Sequence, residues 1–474
     1  MITLLFILFI IILIIIGIIA NKHSTADEND YILANRSLNK YLVGLSAAAT
    51  GNSGFIMTGA VGLGFTFGLT WVFLPIAWLI GDLVYWSYFP GKLNEFSNKS
   101  NSRTISEMLS FFNHNGRKKS TIIISSLILF VILSAYTASQ YIAASKTFNI
   151  FFNIDFDFGI LITGLVIASY IILGGLRASV WTDILQIIVM AIVTILTLIF
   201  SLSDVGGISN LIESLNSIDS NLLIPFSGMP VSIVIGFFLG WASAAFGFGL
   251  SQPQIMIRFF AGKSPKETQK ARWSYILFLQ FTWIGMTIFG LIARAILVKV
   301  DDPESALFLY FNNNFSPFVV AIVLIGIFSA IASTIDSLIL ASSNIISIDI
   351  LPLFLKNNIL HTKRIHQLST IFIIVITIIL ALFVQSSVFV LSAFAVSFLA
   401  ATVGVAVMLK IVKPSVSFYT INTVLLTSGF VAILWRVLGY NNYLNEAFPS
   451  LVIGICIGLL TEKFHLSHIV NKTT

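Results

Sequence analysis

Charge is scarce in this sequence. Asp, Glu, Lys and Arg together make up 10% of its 474 residues, against about 25% in a soluble globular chain. That scarcity excludes a soluble enzyme, a nucleic-acid-binding module and a long-tailed receptor kinase. Cysteine is nearly missing as well. Cys456 stands alone, which excludes an internal disulfide and with it a secreted disulfide scaffold. The six histidines, at 23, 114, 361, 366, 465 and 468, all lie in polar segments. None can join a metal cluster or a proton relay within an apolar run. What fills the chain instead is hydrocarbon: 57% of residues are hydrophobic, with a mean hydropathy of +0.97. Surface this apolar needs lipid as its solvent, and one membrane helix takes about 20 such residues.

Thirteen apolar segments are expected, at about 2–20, 42–64, 70–90, 120–147, 156–175, 179–201, 229–257, 271–297, 315–348, 367–385, 388–409, 416–436 and 447–461. The first lacks a basic flank and is long enough to span, so it reads as a retained anchor rather than a signal peptide. With the N-terminus outside, 22 of the 26 Lys and Arg residues fall in cytoplasmic connections, and only Lys146, Arg294, Lys299 and Arg436 stay outside. This asymmetry predicts an N-out, C-in topology. No Gly/Ser/Pro-rich linker divides the chain. The expectation is one all-α polytopic membrane unit.

Two segments carry breaking residues in their interiors: Ala47-Ala48-Ala49-Thr50-Gly51-Asn52-Ser53-Gly54 in the second, and Ala244-Ala245-Phe246-Gly247-Phe248-Gly249-Leu250-Ser251-Gln252-Pro253 in the seventh. Backbone groups freed at membrane depth must face protein, water or an ion. Small residues also serve helix packing. A pair of breaks five spans apart, however, matches an inverted-repeat transporter with its site near the midplane.

Acids at bilayer depth cost roughly 2.5–3.5 kcal/mol and normally face a cavity or bundle interior. Asp82, Asp183 and Asp336 are placed that deep, with no Lys or Arg expected near enough to neutralise them. Around Asp336, Ser329, Ser333, Ser337, Asn344 and Ser347 fall on one helical stripe with Thr334 beside it. Hydroxyls and one carboxylate, without sulfur or imidazole, form a hard oxygen set suited to an alkali or alkaline-earth cation.

At these residues the chain resembles the sodium/solute symporter family, most of all its sodium/proline branch. The motifs are Ala34–Leu38 with Gly44–Phe55; Gly174-Gly175-Leu176-Arg177-Ala178-Ser179-Val180-Trp181-Thr182-Asp183 with Gln186; Gln252-Pro253 with Arg258-Phe259; and Ala330–Ser337. The resemblance implies a LeuT-like inverted-repeat fold: a leading helix at 1–21, five-helix repeats at 42–201 and 229–409, and two trailing helices with a short tail at 416–474. It implies sodium (Na+) as the coupling ion, bound by backbone carbonyls of Ala49, Asn52 and Ala330 and hydroxyls of Ser333 and Thr334. A second sodium would use Asp183, Asp336 and Ser337 together with Ser333. A helix-capping role for Asp183 near Trp181 and a proton shared between the two acids are the alternatives. Solute is expected between the broken helices, near Ser53, Phe55, Tyr136, Gln140 and Phe246. The branch's acid in the first core helix is Gly51 here, its sixth-helix aromatics align with Ala245 and Gly249, and Asp82 has no counterpart in the pattern. Asp82 fits a substrate ammonium, a substitute for the missing acid, or a buried acid bonded to Trp78 or Tyr85.

The resulting expectation is a sodium-coupled importer of a small amino acid such as proline, in the inner (plasma) membrane, needing no nucleic acid and no oligomer. Competing readings are a symporter for a carboxylate, sugar or vitamin, a channel, and a transporter-like sensor. A membrane enzyme is disfavoured, because neither a Walker loop nor an H-E-x-x-H motif is present. A sensor would continue into a signalling domain, whereas the last apolar segment is followed by about a dozen residues.

Overall fold

The computed structural model describes residues 1–24, 27–112, 116–297, 299–355, 362–384 and 387–473. Among them, 11 helical stretches are long and apolar enough to cross a membrane. The only strands among the described residues are Phe111–Phe112 and Gly116–Arg117, paired antiparallel. The main helices are α1 (Ile2–Lys22), α2 (Lys40–Gly51), α3 (Val61–Phe67), α4 (Leu69–Ser100), α5 (Lys119–Phe152), α6 (Phe156–Asp204), α7 (Val231–Ser251), α8 (Pro253–Phe260), α9 (Arg272–Ile296), α10 (Pro317–Asn344), α11 (Lys363–Phe383), α12 (Val388–Leu399), α13 (Val405–Val412), α14 (Phe418–Val437) and α15 (Ala447–Thr473).

Two apolar segments expected to be separate, 156–175 and 179–201, form the single 49-residue α6. It turns at Gly175, whose φ of 55° and ψ of −142° suit a residue without a Cβ. Tyr31 packs against the spot where that Cβ would be, its carbonyl 2.4 Å away.

The second apolar segment is broken where its composition suggested. α2 starts on the Asn39 side chain, which accepts from the amides of Tyr41 and Leu42, and it stops at Asn52. A wide π-turn, Phe55–Ala60, leads into α3. The seventh segment behaves differently. Gly247 and Gly249 are helical, and the break falls on Gln252, because Pro253 has no N–H to continue α7 and instead opens α8. The two glycines serve packing. A Cβ on Gly247 would lie 2.5 Å from Ala400, and one on Gly249 would lie 2.3 Å from the Tyr85 ring.

Close backbone approach governs the rest of the bundle, as expected where lipid removes the hydrophobic drive between helices. α3 and α9 touch through reciprocal glycines. A Cβ on Gly64 would stand 2.1 Å from the Thr287 carbonyl, and one on Gly290 would stand 2.1 Å from that of Val61. α4 lies on α7 in the same way, Gly81 against the Ala242 carbonyl. Gly290→Ala is therefore expected to destabilise the protein by about 1–3 kcal/mol through overpacking. Gly59→Ala, with no neighbour nearer than 3.4 Å, should leave stability unchanged. Thermal unfolding of the two variants in detergent checks the contrast.

Candidate ion and solute site

The break after α2 brings its last carbonyls to the middle of α10. The Ser333 hydroxyl donates to the carbonyls of Ala49, at 3.0 Å, and Ala330, at 3.1 Å. The Thr334 hydroxyl donates to Thr50 at 2.9 Å and Ala330 at 3.1 Å. Ser333, Thr334 and Asn52 are fully buried. Both polar atoms of the Asn52 side chain lack a hydrogen-bond partner. Here two chain segments nearly 300 residues apart contribute a dry knot of oxygens without a formal charge.

Beyond the break, Gln140 of α5 holds the backbone in place. Its Oε1 accepts from the Gly54 amide at 2.8 Å, and its amide donates to Ser139 and Ser392. The Thr58 hydroxyl donates to the Gly54 carbonyl at 2.7 Å. Gln140 thus supports the first core helix rather than lining the cavity beside it. The cavity is walled by Ser53, Phe55, Trp78, Tyr136, Trp241, Phe248, Trp283 and Ser392, with Gly51 at its edge. Of the expected solute residues, Ser53, Phe55 and Tyr136 are there. Phe246 is not among the lining residues; it stands edge-on to Phe89 at 5.6 Å, because helical α7 turns Phe248 inward instead. The sequence pointed to none of the three tryptophans, which come from α4, α7 and α9. The amides of Asn52, Gly54 and Phe55 already have acceptors, and the Ser53 and Ser392 hydroxyls are themselves hydrogen-bonded, whereas the indole N–H groups of Trp78 and Trp283 have no partner among the described residues.

Two of the three acids expected to lack a protein cation, Asp183 and Asp336, lie beside one. Arg258 of α8 is fully buried. Its Nη2 reaches Asp183 at 3.1 Å, Ser179 at 2.9 Å and Ser337 at 2.6 Å, its Nε donates to Ser46 at 2.9 Å, and its Nη1 to the Gln254 carbonyl at 2.6 Å. Asp183 also accepts from Ser46 at 2.5 Å. Asp336 accepts from Tyr170 at 3.0 Å, Ser179 at 2.8 Å and Ser337 at 2.9 Å. The sequence had placed Arg258 in a cytoplasmic connection. The break at Gln252 restarts the helix at Pro253, and five residues later Arg258 faces the bundle interior. Asp183 lies well past the Gly175 turn and pairs with this network; it caps no helix end. Ser333 points toward Ala49, so it belongs with Thr334 rather than with the two acids.

Similarity to known proteins agrees with this architecture. Residues 31–417 match the family model described as Sodium:solute symporter family. The chain belongs to the sodium:solute symporter family. Among curated members, it is 26% identical to the osmoregulated proline transporter OpuE of Bacillus subtilis, over 93% of this chain and 91% of that one. It is likewise 26% identical to the high-affinity proline transporter PutP of Bacillus subtilis, over 94% and 95%, and 28% identical to a sodium/proline symporter of Staphylococcus aureus, over 70% and 65%. A solved Na+-coupled sialic acid symporter, in a substrate-bound outward-open state, superposes with a TM-score of 0.81 at 17% identity, over 98% of this chain and 97% of that one. The nucleobase-cation-symport transporter Mhp1 gives 0.56 at 15% identity, over 94% and 96%. The fold is therefore LeuT-like and the protein is a sodium-coupled transporter, not an enzyme.

The buried charged centre of this chain gives a direct prediction. Removing one partner of a buried ion pair typically costs about 3–5 kcal/mol. Arg258→Met should destabilise by that order, and adding Asp183→Asn to it should recover a large part. Thermal unfolding of both single variants and the double variant measures the coupling.

Proposed function

We propose that this symporter imports proline or a closely similar amino acid with one sodium ion per cycle. The observation that carries the reading is the knot of oxygens between the broken end of α2 and the middle of α10. Ala49, Asn52 and Ala330 carbonyls with Ser333 and Thr334 hydroxyls would hold sodium. Each hydroxyl would turn its proton outward and present a lone pair where it now donates. The set is all hard oxygen. The unpartnered, fully buried Asn52 side chain beside it is a further polar group for the ion or its neighbours to satisfy.

One sodium is the proposed number because Arg258 already pairs with Asp183 and donates to Ser179 and Ser337 beside Asp336. A fixed guanidinium lies among Asp183, Ser179 and Ser337, where a second ion would have to sit. Solute would occupy the cavity between Ser53, Phe55 and Tyr136, and the relatives' names point to proline. The repeats 42–201 and 229–409 supply the two halves of the site. Counting α6 as two crossings and the α2–α3 pair as one, the 11 long apolar stretches become thirteen crossings. The Lys and Arg distribution then places the N-terminus outside and the C-terminus inside.

The knot has no formal charge, so each sodium carries about one charge across the field. A potential of 100 mV contributes ~2.3 kcal/mol and a tenfold sodium gradient ~1.4 kcal/mol. Together they sustain roughly 500-fold accumulation of a zwitterion. Ser333→Ala and Thr334→Ala each remove one ligand, and a charge-assisted contact is worth about 1.5–3 kcal/mol. Each variant should raise the sodium concentration for half-maximal proline uptake in proteoliposomes by about tenfold or more, with solute affinity at saturating sodium little changed. Unaltered sodium dependence in both variants would place the ion elsewhere. Proline uptake that persists when choline replaces sodium would refute coupling altogether.

A further inference from the structure

The central cavity has aromatic walls and no charged side chain in its lining. Trp283 stands edge-on to Phe55 at 5.4 Å and packs at 61° to Trp78 at 5.2 Å, and Trp78 meets Phe248 at 5.3 Å. Indole faces suit a hydrocarbon ring, and they suit an organic cation equally well, because their π-density attracts ammonium groups. A hydrocarbon needs no counter-charge, but a buried cation does.

One turn along α4 from Trp78 lies Asp82, 1% exposed, with neither carboxyl oxygen hydrogen-bonded. The Trp78 indole comes near it without reaching hydrogen-bond geometry. The titratable groups facing Asp82 are Tyr85 from α4 and Tyr275 from α9; no Lys or Arg is among them. From α7, Gly249 presses on the Tyr85 ring without offering a side chain. On α2, Gly51 lines the cavity, and a Cβ there would stand 3.6 Å from the Tyr275 hydroxyl. The missing side chain leaves the cavity open toward the tyrosine that faces Asp82. Burying a carboxylate with neither donor nor cation costs far more than a lost hydrogen bond. Asp183 and Asp336 avoid that cost through Arg258 and four hydroxyls, whereas among the described residues none performs this service for Asp82.

We propose that Asp82 is the counter-charge for a cationic nitrogen of the transported solute, held against the Trp78 and Trp283 faces. This rests on the reading of the central cavity as the solute site. The solute class is then one bearing a secondary or quaternary ammonium. Its carboxylate, where it has one, lies toward Ser53 and Ser392. Neutral sugars and simple carboxylates lack the charge that Asp82 requires. Asp82 acts across the Trp78 edge as a specificity-determining residue.

Matched pairs differing only in the positive nitrogen test this: L-proline against tetrahydrofuran-2-carboxylate, glycine betaine against 3,3-dimethylbutyrate, and choline against 3,3-dimethylbutanol. Binding is measured calorimetrically on the purified full-length protein at saturating sodium. The wild type is expected to favour the ammonium member of at least one pair by tenfold or more. Asp82→Asn should reduce that preference to about threefold or less, while a sodium-induced thermal shift like that of wild type shows an intact fold. Trp283→Leu, a second variant that keeps Asp82, should weaken the same preference through the lost π-face. A wild type that binds no ammonium member, or prefers the uncharged one, overturns the proposal. So does an Asp82→Asn variant that keeps the preference, or one whose sodium affinity falls instead. Binding of glycine betaine or choline but not proline would overturn the proline assignment and leave the Asp82 assignment standing.

Discussion

The backbone of α2 stops being helical at Asn52, and the carbonyls released there have to be met inside the protein. In lipid an unmet carbonyl costs several kcal/mol, so the break is tolerable only while α10 stays against it. Ser333 and Thr334 meet the carbonyls of Ala49 and Thr50 across that contact. Hydroxyls fastened to carbonyls in this way are a weak fastening. A cation at the same spot attracts both sides at once and holds the segments together more strongly than the hydrogen bonds do. An ion with higher affinity for one arrangement of the two segments shifts the population toward it. With sodium in the proposed site, coupling would follow from the break, and the break follows from Asn52, Ser53 and Gly54 standing at membrane depth.

The Arg258 network is a second polar layer on the same elements. It joins Ser46 of α2, Ser179 and Asp183 of α6, and Ser337 of α10 to a helix that begins at the other break. Every charged atom in it is fully buried, so its members satisfy one another or are strongly destabilising. Such a network permits few arrangements and fixes how the two broken helices sit on α6 and α10. Close glycine contacts along α3 and α9, and along α4 and α7, hold the neighbouring helix pairs backbone to backbone.

Much of this was legible in the sequence. Hydropathy marked the apolar segments, and the small-residue run around Gly51 marked the first break, because both signals are local. Ser333 and Thr334 were legible through the polar stripe on an otherwise apolar helix. The second break lies at the end of the stretch Ala244–Pro253 marked for it; Gly247 and Gly249 within that stretch serve packing, because a glycine in a helix signals packing as readily as interruption, whereas Pro253 forbids continuation outright. Arg258 was missed for a related reason. It stands one residue past the end of the apolar segment and just before the Lys263–Arg272 cluster, so it was counted with that connection, and only the inward turn of the short α8 shows that it is buried. The tryptophan walls were missed because they come from three separate helices, and no spacing within one helix reveals a face assembled in space.

The proposed oxygen site shared by α2 and α10 is uncharged and would bind a single sodium, with Arg258 excluding a second. Equilibrium binding of radioactive sodium to the purified protein, with the solute present and absent, counts the ions directly. One sodium per chain is expected under both conditions, with loss of that ion in the Ser333→Ala/Thr334→Ala double variant. Two sodium ions per chain, or one that survives the double substitution, would contradict the assignment.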